Sequence, residues 1–258
     1  MSRFALVSVA LACSVTGDAF AKDSGTAGAL IAAYPDALER VDGADLVWRD
    51  GTRMRIDDGA GPKSAAARLA GPDLKDMLIE PYPAGAAISA PPRDADPGRA
   101  RNGAFFNKLY GDCTTGEVTA SLVEVVWLPR KYGRILKVNG RHGMAERLRA
   151  VSARLDALPA AFNAFLFPPT GTYNCRVIAG TDRVSTHGYA IAIDLAVKHA
   201  HYWRWAHTPA AGGTLPFQNA MPPEIISAFE AEGFIWGGRW YHYDTMHFEY
   251  RPELLPPP

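Results

Sequence analysis

An α+β fold, with a mostly antiparallel sheet, flanking helices and an N-terminal accessory region, is the class the sequence predicts. Three observations carry it: a hairpin signal early in the chain, a second pair of strands joined by a short turn, and two helices, one marked by amphipathic spacing and one by its terminal residues. In the first, Leu46 to Ile56 alternate around Asp50-Gly51, a dipeptide suited to a tight reversal between antiparallel strands. Ala84 to Arg101 is rich in alanine, proline, glycine and charge, with Pro91-Pro92 and Asp96-Pro97, and reads as an exposed connection or as a wrap over the following domain. Val123 to Trp127 and Ile135 to Val138 read as strands joined by Pro129 to Gly133. From Met144 to Leu158, the apolar residues Leu148, Val151, Leu155 and Leu158 recur at helical spacing. Pro222 to Glu232 reads as a helix with proline at its start and Gly233 beyond its end. The predicted organisation is a leader over 1–21, an accessory region over 22–117 and a catalytic domain over 118–258.

The 258 residues carry 27 basic and 27 acidic side chains. That balance argues against polyanion binding, and no basic run or stacking-aromatic array points to nucleic acid. Arg3, the apolar run Phe4 to Val15 and Ala19-Phe20-Ala21 before Lys22 form the pattern of a secretory signal peptide, too short to span a membrane. A secreted, periplasmic or cell-envelope location follows as an expectation. Removal of the leader takes away Cys13 and leaves Cys113 and Cys175, which in an oxidising compartment are expected to pair.

The chemistry concentrates in two segments. From Ala190 to Leu195 small or polar residues alternate with branched apolar ones, the pattern of a half-buried strand with Ile191 and Ile193 inward and Asp194 on the opposite face. His187 precedes it, beside Gly188, where the backbone turns freely. Near the C-terminus His247 and Glu249 share one strand face while Phe248 and Tyr250 share the other. His187, Asp194 and His247 thus form a candidate ligand set of two imidazoles and a carboxylate, which suits zinc and leaves a fourth position open, the arrangement of a catalytic site. Asp244, three residues before His247 on a turn, is the candidate general base. Its alternative is a turn-capping carboxylate. His242 lies five residues from His247, on the opposite face of an extended strand, and His199 and His201 read as solvent-facing or rim residues.

Ser185-Thr186-His187 through Ala192-Ile193-Asp194, followed about fifty residues later by Asp244-Thr245-Met246-His247-Phe248-Glu249, resembles the zinc D-alanyl-D-alanine carboxypeptidase and L-alanyl-D-glutamate endopeptidase family of bacterial cell-wall peptidases. The resemblance extends to Tyr173-Asn174-Cys175-Arg176, Ala179-Gly180-Thr181 and Gly233 to Gly238, and covers roughly Val118 to Arg251. It implies a small zinc-peptidase fold, zinc as cofactor on His187, Asp194 and His247, and Asp244 as catalytic acid/base. Peptidoglycan peptides are the implied partner. The family's substrate-binding arginine falls on Arg176, which either stabilises the scissile carbonyl oxygen or grips a substrate carboxylate. The alternative for Arg176 is a surface arginine. Ser185 and Trp240 are candidates for substrate binding or for supporting the ligands. A non-catalytic zinc module that binds wall peptides or a protein partner is the competing reading, and Asp244 discriminates, because a binding module has no need of a base beside the metal.

Overall fold

The computed structural model describes residues 25–206 and 213–256. The predicted leader over 1–21, with Cys13, lies outside the described residues, so neither it nor the expected location is tested.

Helix α1 (Thr26–Ala33) buries Leu30 and leads through the buried Tyr34 into an antiparallel meander of β1 (Leu38–Asp42), β2 (Asp45–Trp48) and β3 (Arg53–Arg55). The Asp50-Gly51 turn closes β2 on β3 as the sequence predicts; Gly51 has φ +83° and the Asp50 carboxylate accepts the Thr52 N–H at 2.9 Å. Next come α2 (Ala65–Ala70), capped by Ser64, and an irregular run that ends at Asn102, whose side chain accepts the Phe105 N–H and starts α3 (Gly103–Tyr110). After α4 (Glu117–Ala120), β4 (Leu122–Trp127) and β5 (Arg134–Asn139) form the predicted antiparallel pair.

The predicted amphipathic helix is α5 (Met144–Asp156), with Leu148, Val151 and Leu155 fully buried. A short α6 (Asn163–Leu166) precedes β6 (Ala192–Asp194). The second predicted helix is α7 (Pro223–Glu230), and β7 (Phe234–Trp236) and β8 (His247–Tyr250) complete an antiparallel sheet of order β6-β8-β7. Phe248 of β8 stacks on Phe229 of α7 with ring centres 3.9 Å apart, which fixes the face of β8 that turns inward. Helices on small antiparallel sheets make the fold α+β. One continuous core joins Leu30, Tyr34 and Trp48 of the N-terminal region to Leu148, Phe229 and Phe248. Among the described residues no helix is long and apolar enough to cross a membrane.

One expectation requires correction, and one choice between two readings is resolved. The stretch Ala190 to Leu195 is not one half-buried strand: Thr186–Tyr189 is a 3-10 turn, Ala190 takes φ 55°, and β6 begins only at Ala192. Ala190 and Ala192 are as buried as Ile191 and Ile193, because the segment is covered on both sides. The connection from Ala84 to Arg101 is exposed only in part; Asp96, Pro97, Gly98 and Ala100 are buried, against the C-terminal half of the chain. The strand β1 and the helices α1 and α3 carry no signal strong enough to have been read from sequence.

Candidate functional site

Antiparallel pairing of β6 with β8 sets Asp194 opposite His247. Asp194 is held further by its own N–H to the Gly171 carbonyl (3.0 Å) and by the Thr170 N–H to its carbonyl (2.8 Å). His187 enters from the 3-10 turn; its N–H donates to the Ser185 hydroxyl at 3.4 Å and the Gly188 N–H to the Ser185 carbonyl at 2.7 Å. Gly188 serves here through its size: a Cβ would stand 2.7 Å from a Val184 methyl and 3.4 Å from Cys113 Sγ. The left-handed residue of the turn is Ala190, whose carbonyl accepts the Asn139 N–H at 3.0 Å. The Asn139 side chain bonds the Tyr110 and Tyr189 carbonyls, tying this turn to the end of α3.

One ligand atom from each of His187, Asp194 and His247 lies within 4.8 Å of the others. His187 Nε2 stands 3.2 Å from Asp194 Oδ2, and His247 Nδ1 stands 2.9 Å from Asp194 Oδ1. The opposite nitrogen of each ring faces an acceptor: His187 Nδ1–H donates to the Thr172 carbonyl at 3.0 Å, and His247 Nε2–H donates to Glu249 at 3.1 Å. With those protons fixed, the nitrogens turned toward Asp194 carry lone pairs, and a lone pair opposite a carboxylate requires a cation or a proton between them. His187 Nε2 and Asp244 Oδ1 are buried with no hydrogen-bond partner among the described residues. This donor set fits a divalent ion such as zinc.

The electrostatics have the same sense. Burial by itself would raise Asp194, but His187 and His247 outweigh it and hold the carboxyl well below its usual range. Burial disfavours a charge on His247, yet its bonds to Asp194 and Glu249 push it up to about 10, the same field that attracts a dication. For Asp244, burial dominates and the Asp194 charge adds to it, so its carboxyl rises to about 6. The Asp244 backbone N–H donates to the Gly237 carbonyl at 3.0 Å, and Gly237 admits this approach because a Cβ there would meet the Asp244 carbonyl at 2.5 Å.

The remaining sequence-predicted residues are placed as follows. Trp240 is buried, its ring centre 5.5 Å from that of His247, and its indole N–H donates to the Pro97 carbonyl at 2.7 Å. Ser185 is buried beneath the His187 turn. Arg176 is exposed and makes no ion pair among the described residues; it lies opposite Ser185 across the short ladder centred on Val177 and Val184. Cys113 and Cys175 are disulfide-bonded, with Cα atoms 5.6 Å apart, which ties α3's outgoing loop to the segment bearing Arg176. His242 is turned away from the cluster onto Asp96 at 2.7 Å, and His201 meets Gln218. A cavity of about 910 Å³ beside α1 and α7 contains none of these residues. Unread in the sequence were Thr172, Asn139 and the arginines around Glu249; the alternation in His247-Phe248-Glu249 was the one signal that marked Glu249 as a neighbour of the ligand.

Residues 179–250 match the family model described as D-alanyl-D-alanine carboxypeptidase, a span that contains His187, Asp194, Asp244 and His247 and begins after Arg176. No curated protein and no solved structure matches the chain. By its motif and by this match, the segment that carries the candidate ligand cluster is similar to the D-alanyl-D-alanine carboxypeptidase family of peptidases.

Proposed function

We propose that the chain is an exported zinc-dependent peptidase of the small zinc-peptidase fold that hydrolyses peptide bonds in peptidoglycan stem peptides or cross-bridges. The observation that carries this reading is the juxtaposition of a three-residue ligand cluster with Asp244, a half-buried carboxylate whose Oδ1 is itself buried and has no partner among the described residues. Zinc held by His187, Asp194 and His247 would supply Lewis acidity to a peptide carbonyl and to water. Asp244, whose carboxyl burial raises to about 6 in the metal-free protein, is placed beside the cluster to take a proton from the attacking water and return one to the departing amine. Arg176, exposed and without an acidic partner, is available to bind the substrate's carbonyl oxygen or carboxylate. Ser185 supports the turn that presents His187, and Trp240 packs against His247 and excludes water from that side. A pure binding module has no use for a desolvated carboxylate beside the ligands, because keeping it there costs stability.

The test is mass spectrometry of purified muropeptides after incubation with mature protein, with chelator-treated and zinc-restored controls. A chelator-sensitive product is expected, and its mass identifies the bond and separates carboxypeptidase from endopeptidase action. Intact muropeptides after treatment with folded, zinc-replete protein would move the reading to a wall-binding module or to a different peptide substrate.

A further inference from the structure

Behind His247, on the side away from Asp194, lies a buried sequence of charges that reaches the N-terminal region. Glu249 follows His247 by two residues on β8, so the pleat puts both side chains on one face, and Glu249 Oε2 is 3.1 Å from His247 Nε2. The other carboxylate oxygen meets two guanidinium groups, Arg251 Nη1 at 3.0 Å and Arg101 Nη1 at 3.6 Å. Glu249 is 1% exposed, and a carboxylate so placed stays ionised only with compensating partners.

The two arginines are not equivalent. Arg251 is shared, with its Nε on Glu253 and its Nη1 also on the Gly98 carbonyl. Arg101, 8% exposed in its side chain, has Glu249 as its one carboxylate partner among the described residues. It is delivered by the segment 95–101, which is hooked onto the C-terminal half at several points. The Ala95 carbonyl accepts the Tyr241 N–H at 2.8 Å, the Pro97 carbonyl accepts the Trp240 indole, and the Arg99 carbonyl accepts Arg183 Nη1–H at 3.0 Å. Gly98 lies so close to the core that a Cβ would stand 2.6 Å from Ile235 and 2.7 Å from Leu254.

The polarity of this arrangement has a chemical consequence. An ionised carboxylate only accepts, so Glu249 holds a proton on His247 Nε2 and reserves Nδ1, the atom that faces Asp194, for the lone pair that a metal ion requires in place of a second proton. A protonated or absent Glu249 would leave the ring free to take the other tautomer, which presents N–H where a ligand lone pair is needed.

We infer that Glu249 is a positioning residue for His247 and that Arg101, from outside the segment that bears the ligands, holds Glu249 for that task. The metal centre is therefore built by both halves of the chain. This inference rests on the zinc reading above.

The test is the zinc affinity of the full chain, stripped with chelator and titrated in competition with a chromophoric chelator. Glu249→Gln, nearly isosteric, and Arg101→Met are expected to weaken zinc binding by about 10- to 100-fold, and Arg101→Lys to recover part of the loss. Circular dichroism of the zinc-free proteins checks that each variant is folded. Arg239→Met is the control, because Arg239 links the same two halves through the Ala86 and Ala87 carbonyls without touching the cluster; its zinc affinity should stay within about twofold of the unchanged chain, whatever its stability. Folded Glu249→Gln and Arg101→Met proteins that bind zinc as tightly as the unchanged chain would overturn the inference and leave the zinc reading standing. An unchanged, folded chain that binds no zinc would overturn both.

Discussion

Asp244 is the residue on which the enzymatic reading turns. Its ordinary value is 3.8 and its folded value about 6, so the folded protein binds the proton more tightly than the unfolded chain does. Ionised Asp244 therefore subtracts from stability. The penalty is absent well below pH 3.8, grows between the two values, and is constant above about pH 6. At ~1.4 kcal/mol per pKa unit, and discounted for the partial exposure of the residue, it amounts to about 1–2 kcal/mol. In zinc-free protein, Asp244→Asn is expected to melt higher than the parent near neutral pH, with the gain shrinking by more than half toward pH 4. In zinc-loaded protein the same variant should keep its metal and lose turnover by at least ~100-fold. Thermal melts at several pH values and a muropeptide assay read the two effects separately; an active Asp244→Asn protein would remove the residue from the mechanism. His187→Ala or His247→Ala should instead lose stoichiometric zinc on gel filtration, measured by atomic emission.

At the scale of elements, the site depends on connections that hold short pieces of irregular chain. The disulfide closes a loop whose ends are 62 residues apart, and loop-entropy estimates for that length give about 4 kcal/mol as an upper value. The paired substitution of Cys113 and Cys175 by serine is expected to destabilise the protein by about 2–4 kcal/mol in denaturant titrations. The segment 95–101 is a second such connection. Gly98 has φ +86° and a Cβ there would press on the Cδ1 ends of Ile235 and Leu254, so Gly98→Ala combines a disfavoured backbone with local repacking and should cost about 1–3 kcal/mol. A Gly98→Ala protein as stable as the parent would mean that the segment does not bear on the core as described. From composition alone the stretch Ala84 to Arg101 reads equally as an exposed connection or as a wrap over the following domain, since proline and glycine mark irregular chain whether it is solvated or buried.

At the scale of the whole molecule, the continuous core that joins α1, β2, α5, α7 and β8 implies that the N-terminal region and the ligand-bearing segment unfold together. Calorimetry is expected to show one transition whose van't Hoff and calorimetric enthalpies agree; two resolved transitions would mean that the accessory region is an independent unit. Zinc at a hundredfold excess over its dissociation constant should raise the stability of that single transition by about 2.7 kcal/mol, and chelator should remove the gain.

By itself the sequence determined several of the local elements and the residue types of the candidate ligand set. Periodicity marked α5, proline and glycine punctuation marked α7, Asp50-Gly51 marked a hairpin, and two separated motifs marked His187, Asp194, Asp244 and His247, because spacing and residue type are properties of the chain in one dimension. Tertiary structure decided what depends on distant approach. It put Asp96 on His242, Arg101 on Glu249, and Thr172 beneath His187, contacts across 146, 148 and 15 positions respectively. It also assigned Gly188 and Gly237 their work as points of close approach, and gave the left-handed turn to Ala190. Such contacts leave no periodic trace, since each partner satisfies a buried charge or an orphaned polar atom only once the core has closed around both.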